Sequence, residues 1–436
     1  MHILNKYKYY LASLSTIALG YSLSLISTRI LTIQDRAILG VALVLFSSFN
    51  PLCLFGIQNG IIKFGTNMSC HSVRFVFIFH ILINAFVLIL LNYFYWDRVP
   101  HVVAFIGSLI AAFNLINTLI SSFGLSNDVD FLTSLSFLNL ISQLLSLFLM
   151  VICVFSLITL SLFDSNEYSF LFPILSYYLI STLLFLVVVL NKLVKRAAFK
   201  KYAVRVSDKN VKFRTGLARI YKFSAITFPS HIGLNDAIPV LPWLIADTGE
   251  GLLTAAFFAF NFCVVIPKAL MNISTRKDYI YHSNQDNSPL DVFRKSAKKS
   301  SYFLFSLVVV FFIILLSQKF MVPLVFGSSY KDAVSVPGAL FFMGIVLALK
   351  MFVTNLYKSS SNAFKSSFKI EIIASTLHLV PYVVGAAFIG FDIPSFVAIS
   401  YISSFLMLIY LLFVLANLTN FFTPLSLFSV PCGKNH

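Results

Sequence analysis

Polar side chains interrupt one of the most apolar stretches of the chain, FPSHIGLNDAIPVLPWLIA, which covers residues 228–246. Thr227, His231 and Asn235 are spaced four residues apart and therefore share one face of a helix. Asp236 is adjacent to that face. A carboxylate at the centre of a membrane span costs about 2.5–3.5 kcal/mol, so it needs a cation, water or a proton nearby. We expect these residues to line an aqueous interior; the alternative is that Asp236 pairs with a neighbouring helix for packing alone.

Three prolines in the same stretch, Pro229, Pro239 and Pro242, support an interior position. Each proline removes a backbone donor and weakens a helical turn. Such defects persist in a membrane span only where protein or water satisfies the freed carbonyl groups. We therefore expect this helix to line a cavity and to bend.

Four cations near or within apolar segments are further candidates for a binding site. Lys268 and Lys350 each lie close to one end of a predicted span, where they either reach the interface or add positive charge to an inner cavity. Arg29 and Arg36 lie at the opposite side of the membrane and would act likewise there. Cations in a partly desolvated site suit a pyrophosphate or an acidic sugar.

The chain carries no pattern of catalytic or metal-binding residues. There is no GxSxG, Walker or HExxH sequence, and none of the five cysteines forms a CxxC pair. We expect no enzyme activity, no catalytic residues, no cofactor, no metal and no ATP-driven step. His80 and His378 fall within apolar segments and are expected to be satisfied interior histidines.

The composition indicates an integral membrane protein. Of the 436 residues, 58% are hydrophobic and 11% are charged, against about 25% charged in soluble domains. A span needs about 20 mostly apolar residues. Twelve segments qualify: 9–30, 37–57, 75–96, 101–123, 137–160, 168–190, 223–246, 252–273, 301–318, 333–354, 371–390 and 395–416.

The distribution of cations orients these spans. With both termini in the cytoplasm, 25 of the 32 Lys and Arg residues fall inside and 5 outside, in agreement with the positive-inside rule. The net charge of +16 is thus a topology signal and not a sign of nucleic-acid binding. It also allows attraction to anionic membrane lipid.

A basic segment divides the chain into two halves of six spans each. Residues 191–222 contain eleven basic residues and one acid. The sequence predicts an N-terminal six-helix bundle over 1–190, a cytoplasmic linker over 191–222, and a C-terminal six-helix bundle with a short tail over 223–436.

Five short motifs occur in an order that resembles one transporter family. They are STRILTIQDRAILG from Ser27, LFGIQNGIIKFG from Leu54, GLNDAIPVL from Gly233, MVPLVFGSSYKDA from Met321 and NLYKSSSNAFKSSFK from Asn355. This order and the hydropathy layout resemble the Wzx-type polysaccharide and O-antigen flippases of the MOP superfamily, the polysaccharide transporter family.

The resemblance implies an all-α polytopic protein of about twelve transmembrane helices, in two six-helix bundles around a central cavity, as in the MATE transporters. It implies movement of an undecaprenyl-pyrophosphate-linked oligosaccharide across the bacterial inner membrane by alternating access. An ion gradient would drive the movement, with Asp236 or His231 as proton carrier. The polymerase and the chain-length regulator of the same pathway would be candidate partners.

Three alternatives remain open at this point. An ion-coupled multidrug exporter of the same superfamily would favour an acidic cavity. A flippase for the lipid-linked peptidoglycan precursor usually has fourteen spans. A polysaccharide polymerase, which is an enzyme, is expected to carry a long outside loop with catalytic arginines, and no outside loop here is long.

Overall fold

Helices form every regular element in the part of the chain that the computed structural model describes. The described residues are 2–45, 49–64, 70–94, 99–127, 131–159, 171–195, 213–227, 241, 244–245, 251–285, 288–358 and 364–419. Ten of the helices described are long and apolar enough to cross a membrane. The protein is therefore a multi-pass membrane protein, and the predicted all-α class is confirmed.

The chain divides into two compact units, Met1–Phe228 and Pro229–His436. Long apolar helices of the first unit pack side by side, because each buries small and aliphatic residues against its neighbours. The described helices of this unit are α1 (His2–Ile30), α2 (Ile33–Gly40), α3 (Asn50–Leu54), α4 (Ile57–Phe64), α5 (Cys70–Phe94), α6 (His101–Asn127), α7 (Phe131–Thr159), α8 (Leu171–Lys195) and α9 (Phe213–Thr227).

The second membrane segment of this unit consists of several short helical elements in the residues that the structure describes, 33–45 and 49–64. A π-helical turn, Val41–Leu45, follows α2. The backbone then turns between α3 and α4, where Phe55 has a φ of 46° and Gly56 a φ of 67°. A positive φ is costly for a residue with a side chain. The predicted span over 37–57 ends at this turn, and residues 46–48 of it lie outside the described part of the chain.

The helices α4 and α9 pack closely against each other in the first unit. A Cβ atom on Gly60 would come within 2.9 Å of the Ile220 carbonyl oxygen, so only glycine allows this approach. The sequence predicts that the linker over 191–222 ends just before the second bundle begins at residue 223. In the structure α9 packs on α4 and belongs to the first compact unit, which ends at Phe228, while the predicted bundle and linker boundaries stay a prediction.

The second unit is built around one central helix. Its described helices are α10 (Gly251–Phe260), α11 (Phe262–Gln285), α12 (Pro289–Phe326), α13 (Val336–Lys358), α14 (Phe364–Phe388) and α15 (Ile393–Leu418). In the most apolar stretch of α13, 89% of the residues are buried, because α11, α12, α14 and α15 all pack against this helix. Gly344 of α13 lies against the backbone of α11, where a Cβ atom would be 2.7 Å from the Cys263 carbonyl oxygen.

Local side-chain bonds define where some of these helices begin. Asp392 accepts a hydrogen bond from the backbone N–H of Ser395 at 2.8 Å, and Ser395 accepts one from the backbone of Asp392. This capping box starts α15. The hydrogen bonds from Ser395 hold the pKa of the exposed Asp392 carboxyl below its ordinary value.

Ten of the twelve predicted spans correspond to long helices in the described part of the chain. The second predicted span is the broken segment. The seventh, 223–246, lies mainly outside the described residues, which include 223–227, 241 and 244–245 of it.

Candidate functional site

Arg36 is a buried cation at the beginning of the second membrane segment. Its side chain is 5% exposed. Nη1 donates to Ser27 Oγ at 3.1 Å and Nη2 donates to Ser24 Oγ at 2.8 Å. The serine hydroxyl oxygens accept these bonds and so orient the guanidinium group. A guanidinium held in this way can form paired hydrogen bonds to a phosphate or carboxylate.

The local sequence explains why Arg36 faces α1. Thr32 caps α2, since its hydroxyl accepts from the backbone N–H of Asp35 at 3.1 Å and donates to the Asp35 carboxylate at 2.8 Å. This cap starts a helix that returns beside the serines at the end of α1. Tyr178 of α8 also interacts electrostatically with Arg36. Arg36 thus lies beside the serine hydroxyls of α1.

A second set of buried polar groups joins α13 to α14 in the second unit. Lys358 Nζ and Glu371 Oε1 form an ion pair at 2.6 Å, with side chains 7% and 1% exposed. Two turns deeper, Lys350 is 2% exposed and donates to Ser375 Oγ at 3.0 Å. Lys350 and Lys358 are eight residues apart, so they share a face of α13. We call Lys350, Lys358, Glu371, Ser375 and His378 the polar seam.

His378 extends the polar seam toward α15. The ring is 1% exposed and packs edge-on against Tyr382 at a centroid distance of 5.4 Å. Neither ring nitrogen makes a hydrogen bond of standard geometry within the described residues. The Tyr382 hydroxyl donates to Ser400 Oγ at 3.0 Å. His378 is interior, as expected, and its ring also lies beside the backbone of Ser403 on α15.

His80 is a buried histidine of the first unit, and both of its ring nitrogens have hydrogen-bond partners. Nδ1 lies 2.6 Å from the Cys53 carbonyl oxygen, and Nε2 lies 3.3 Å from the Tyr221 hydroxyl. A carbonyl only accepts, so Nδ1 carries the proton and the neutral ring accepts from Tyr221. Asn84, one turn along α5, donates to Asn50 Oδ1 at 3.0 Å. Together these bonds satisfy backbone and side-chain groups beside the break in the second segment.

The remaining predicted site residues have diverse surroundings. Arg29 is exposed at the end of α1, and Lys268 is half-buried on α11. His231, Asn235 and Asp236 lie outside the described residues, so their surroundings stay a prediction. Arg36 belongs to the first unit and Lys350 to the second.

Sequence reasoning misses the ion pair of the polar seam. From hydropathy alone, Lys358 falls in a polar turn and Glu371 is the first residue of a span. A signal is present, because Lys350, Thr354 and Lys358 follow each other at intervals of four residues and therefore form one face of a helix. A polar face on a membrane helix points to a buried partner.

Comparison with known proteins places the fold among transporters. No protein-family profile matches the chain, and no curated protein matches it. Among solved structures, the MATE transporter VcmN of Vibrio cholerae in its bent form has a TM-score of 0.51 at 13% identity. The match covers 96% of this chain and 98% of that one.

Two further structures give similar values. An outward-facing multidrug resistance MATE family transporter of the MOP superfamily has a TM-score of 0.54 at 14% identity, with 96% and 97% of the two chains covered. A MOP superfamily transporter from Pyrococcus furiosus has a TM-score of 0.51 at 14% identity, with 96% and 93% covered. The chain therefore has the fold of the MATE and MOP transporters, and these neighbours are transporters, not enzymes.

Proposed function

We propose that this protein is a flippase that moves an undecaprenyl-pyrophosphate-linked oligosaccharide, an O-antigen or capsule repeat unit, across the bacterial inner membrane. The glycan and the pyrophosphate would cross through the polar interior of the protein by alternating access, while the lipid tail stays in the bilayer. The fold of a MOP transporter and the resemblance of the sequence motifs support this proposal.

The buried charges are the single observation that supports an anionic substrate. Among the described residues, the buried charged side chains are three cations, Arg36, Lys350 and Lys358, and two acids, Asp35 and Glu371. Lys358 and Glu371 neutralise each other. Two serine hydroxyl groups orient Arg36, and a guanidinium group is a donor that suits a phosphate group. For the Pyrococcus furiosus transporter, a reversed polarity of the binding pocket suggests a different function of that protein.

Arg36 is the residue that we propose to contact the phosphate groups of the substrate. Arg29, Lys268 and Lys350 would add positive charge along the path. Asp236 or His231 would carry protons, and Asn235 would add a neutral polar group beside them. If Asp236→Asn left transport unchanged across the pH range, the role of Asp236 as proton carrier would be wrong.

A deletion strain tests the proposed function. Without this protein, single lipid-linked repeat units should accumulate on the inner leaflet and surface polysaccharide should be lost. The wild-type gene should restore the surface polysaccharide. Arg36→Gln should restore it at least tenfold less well at equal protein level, because a neutral amide cannot form charge-assisted pairs with phosphate. Lys331→Gln is the matched control, because Lys331 is an exposed cation that follows α12.

Two results would replace the proposal. If single repeat units reached the outer leaflet but stayed unpolymerised, the protein would act as the polymerase or with it. If no repeat units accumulated and the strain became sensitive to cationic drugs, the protein would be an ion-coupled exporter. The exporter is the second candidate, because one of the structures with this fold is a multidrug resistance transporter.

A further inference from the structure

The longest helix of the second unit extends well beyond the thickness of a membrane. α12 has 38 residues, which corresponds to about 57 Å at 1.5 Å per residue. The hydrocarbon core of a bilayer is about 30 Å thick. Several turns of α12 therefore lie outside the core.

One face of α12 shows where the core begins and ends. Large apolar side chains are exposed from Tyr302, which is 63% exposed, to Leu324, which is 67% exposed. They include Phe305, Phe312, Leu316 and Phe320. The distance along the helix from Tyr302 to Leu324 is about 33 Å, which matches the core. This face is therefore the lipid-facing face, and Tyr302 lies at the interface, where tyrosine is common.

Cations continue the same face beyond Tyr302. Lys298, Lys295 and Arg294 precede Tyr302 by four, seven and eight residues, so they lie on its side of the helix. All three side chains are exposed. The opposite face of these turns carries Val292, Ser296 and Ser300, which are buried.

Lys299 shows that the two faces are chemically distinct. Its ammonium group donates to the Ser274 carbonyl oxygen of α11, so it points away from the lipid-facing side. Within Pro289–Tyr302 of α12, all of which the structure describes, Asp291 is the one acid, and its carboxylate accepts from the Ser288 hydroxyl at 2.6 Å at the helix start. Three cations against one acid leave this exposed face positive.

The depth of the cations matches the headgroup layer. Lys298 is one turn, or about 6 Å, beyond Tyr302. The polar layer of each leaflet is about 5–7 Å thick, so the ammonium groups of Lys295 and Lys298 reach it through their flexible side chains. A phosphodiester headgroup with a net negative charge is the complementary ligand at this level.

We propose that Arg294, Lys295, Lys298 and Tyr302 form a binding site for the headgroup of an anionic phospholipid. The acyl chains of that lipid lie along Phe305 and the apolar face below it. The predicted topology places this site in the cytoplasmic leaflet, where anionic lipids make the surface potential negative. This site does not depend on the transported substrate, so its test is independent of the test of the proposed function.

Quenching by brominated lipids measures binding at this one place. Trp96 and Trp243 are replaced by Phe, and Phe305→Trp places the single fluorophore next to the site. The protein is reconstituted in phosphatidylcholine vesicles that contain brominated phosphatidylglycerol or brominated phosphatidylcholine. We expect phosphatidylglycerol to be preferred by at least fivefold at low salt. High salt should reduce the preference, because the cations are exposed.

Two double variants decide whether the cations form a site. Lys295→Gln with Lys298→Gln should remove most of the preference, since each cation near an anionic surface contributes about fivefold. Lys319→Gln with Lys331→Gln makes the same charge change at exposed positions at the other end of α12 and should leave the preference intact. The proposal is overturned if the starting protein shows no preference, if the first pair has no effect, or if both pairs reduce the preference equally.

Discussion

Buried charges in the membrane-spanning helices are held in different ways at different residues. Arg36 is oriented by serine hydroxyls, Lys350 contacts Ser375, and Lys358 pairs with Glu371. An ionisable residue inside a membrane is costly and commonly has a functional role. Lys358 and Glu371 form a direct ion pair at 2.6 Å. Mutations of Lys358 and Glu371 can therefore test whether this ion pair stabilises the fold, independently of transport.

We expect Glu371→Gln to destabilise the protein by about 3–5 kcal/mol, because it leaves the Lys358 ammonium group buried without its partner. Replacing both residues, as Lys358→Met with Glu371→Leu, should recover most of the loss, since a buried pair replaced by apolar groups is often neutral. Thermal unfolding in detergent measures both effects.

Lys369→Gln provides the control for this pair, because Lys369 is exposed on the same helix as Glu371. It should change the unfolding temperature little. A single variant of the buried pair that behaved like Lys369→Gln would show that the ion pair is not formed in the membrane protein.

At the scale of elements, turns within a membrane segment and close contacts between helices affect local opening and stability. In the second membrane segment, the turn at Phe55 and Gly56 interrupts the helix, and His80 supplies a donor to the Cys53 carbonyl group. A freed carbonyl in the membrane needs such a donor. His80, which also bonds to Tyr221, therefore stabilises the backbone beside this turn.

Removal of this donor should let the broken segment open more often. His80→Ala deletes a buried hydrogen bond that is worth about 1–3 kcal/mol. Opening should then be roughly 5- to 150-fold more frequent. The Cys53 thiol, which is 1% exposed, reports opening through its rate of maleimide labelling in a protein with the other four cysteines replaced.

Asn92→Ala is the matched variant for this experiment. Asn92 also lies on α5, but it donates to the Leu88 carbonyl oxygen and to Ser108, away from the break. Its labelling rate should equal that of the parent protein. Equal labelling rates for His80→Ala and Asn92→Ala would contradict the role of His80.

The contact between α11 and α13 depends on a glycine. We expect Gly344→Ala to lower stability by about 1–3 kcal/mol, because its Cβ would lie 2.7 Å from the Cys263 carbonyl oxygen and 2.9 Å from Val264 Cα. Both are backbone atoms, so the helices must separate. Thermal unfolding should show the loss.

Gly20→Ala is the control for Gly344→Ala, because it changes the helix propensity in the same way without affecting a close helix contact. No atom lies within 4 Å of a Cβ built on Gly20, so the change should be neutral or stabilising by up to about 1 kcal/mol. If the two variants were equally stable, α11 and α13 would not be in the close contact that the structure shows.

At the scale of the whole molecule, apolar composition and helix length are sufficient to predict most of the fold. Long apolar segments such as 101–123 appear as single helices because a membrane-spanning backbone must satisfy its own hydrogen bonds. The broken second segment is harder to predict. Its sequence is apolar enough for a span, and the hydrogen bonds beside the turn at Phe55 and Gly56 come from side chains of α5 and α9 that are distant in sequence.

The candidate site is predictable only in part, because burial depends on neighbouring helices. Arg36 is a candidate from its sequence context, and the structure places it in a buried, hydroxyl-lined position. Arg29, from the same motif, is exposed. The Lys358–Glu371 pair joins two helices across a turn, and no local pattern shows which faces of those helices meet.

Transport of a lipid-linked glycan is the central claim, and a reconstituted system tests it most directly. The purified protein is placed in vesicles with lipid-linked oligosaccharide extracted from the deletion strain, and an impermeant reagent measures how much glycan on the inner leaflet becomes accessible over time. We predict that the wild-type protein exposes this glycan, and that Arg36→Gln does so at least tenfold more slowly while Lys331→Gln matches the wild type. The claim would be contradicted if vesicles with correctly inserted wild-type protein made the inner-leaflet glycan accessible no faster than vesicles without protein.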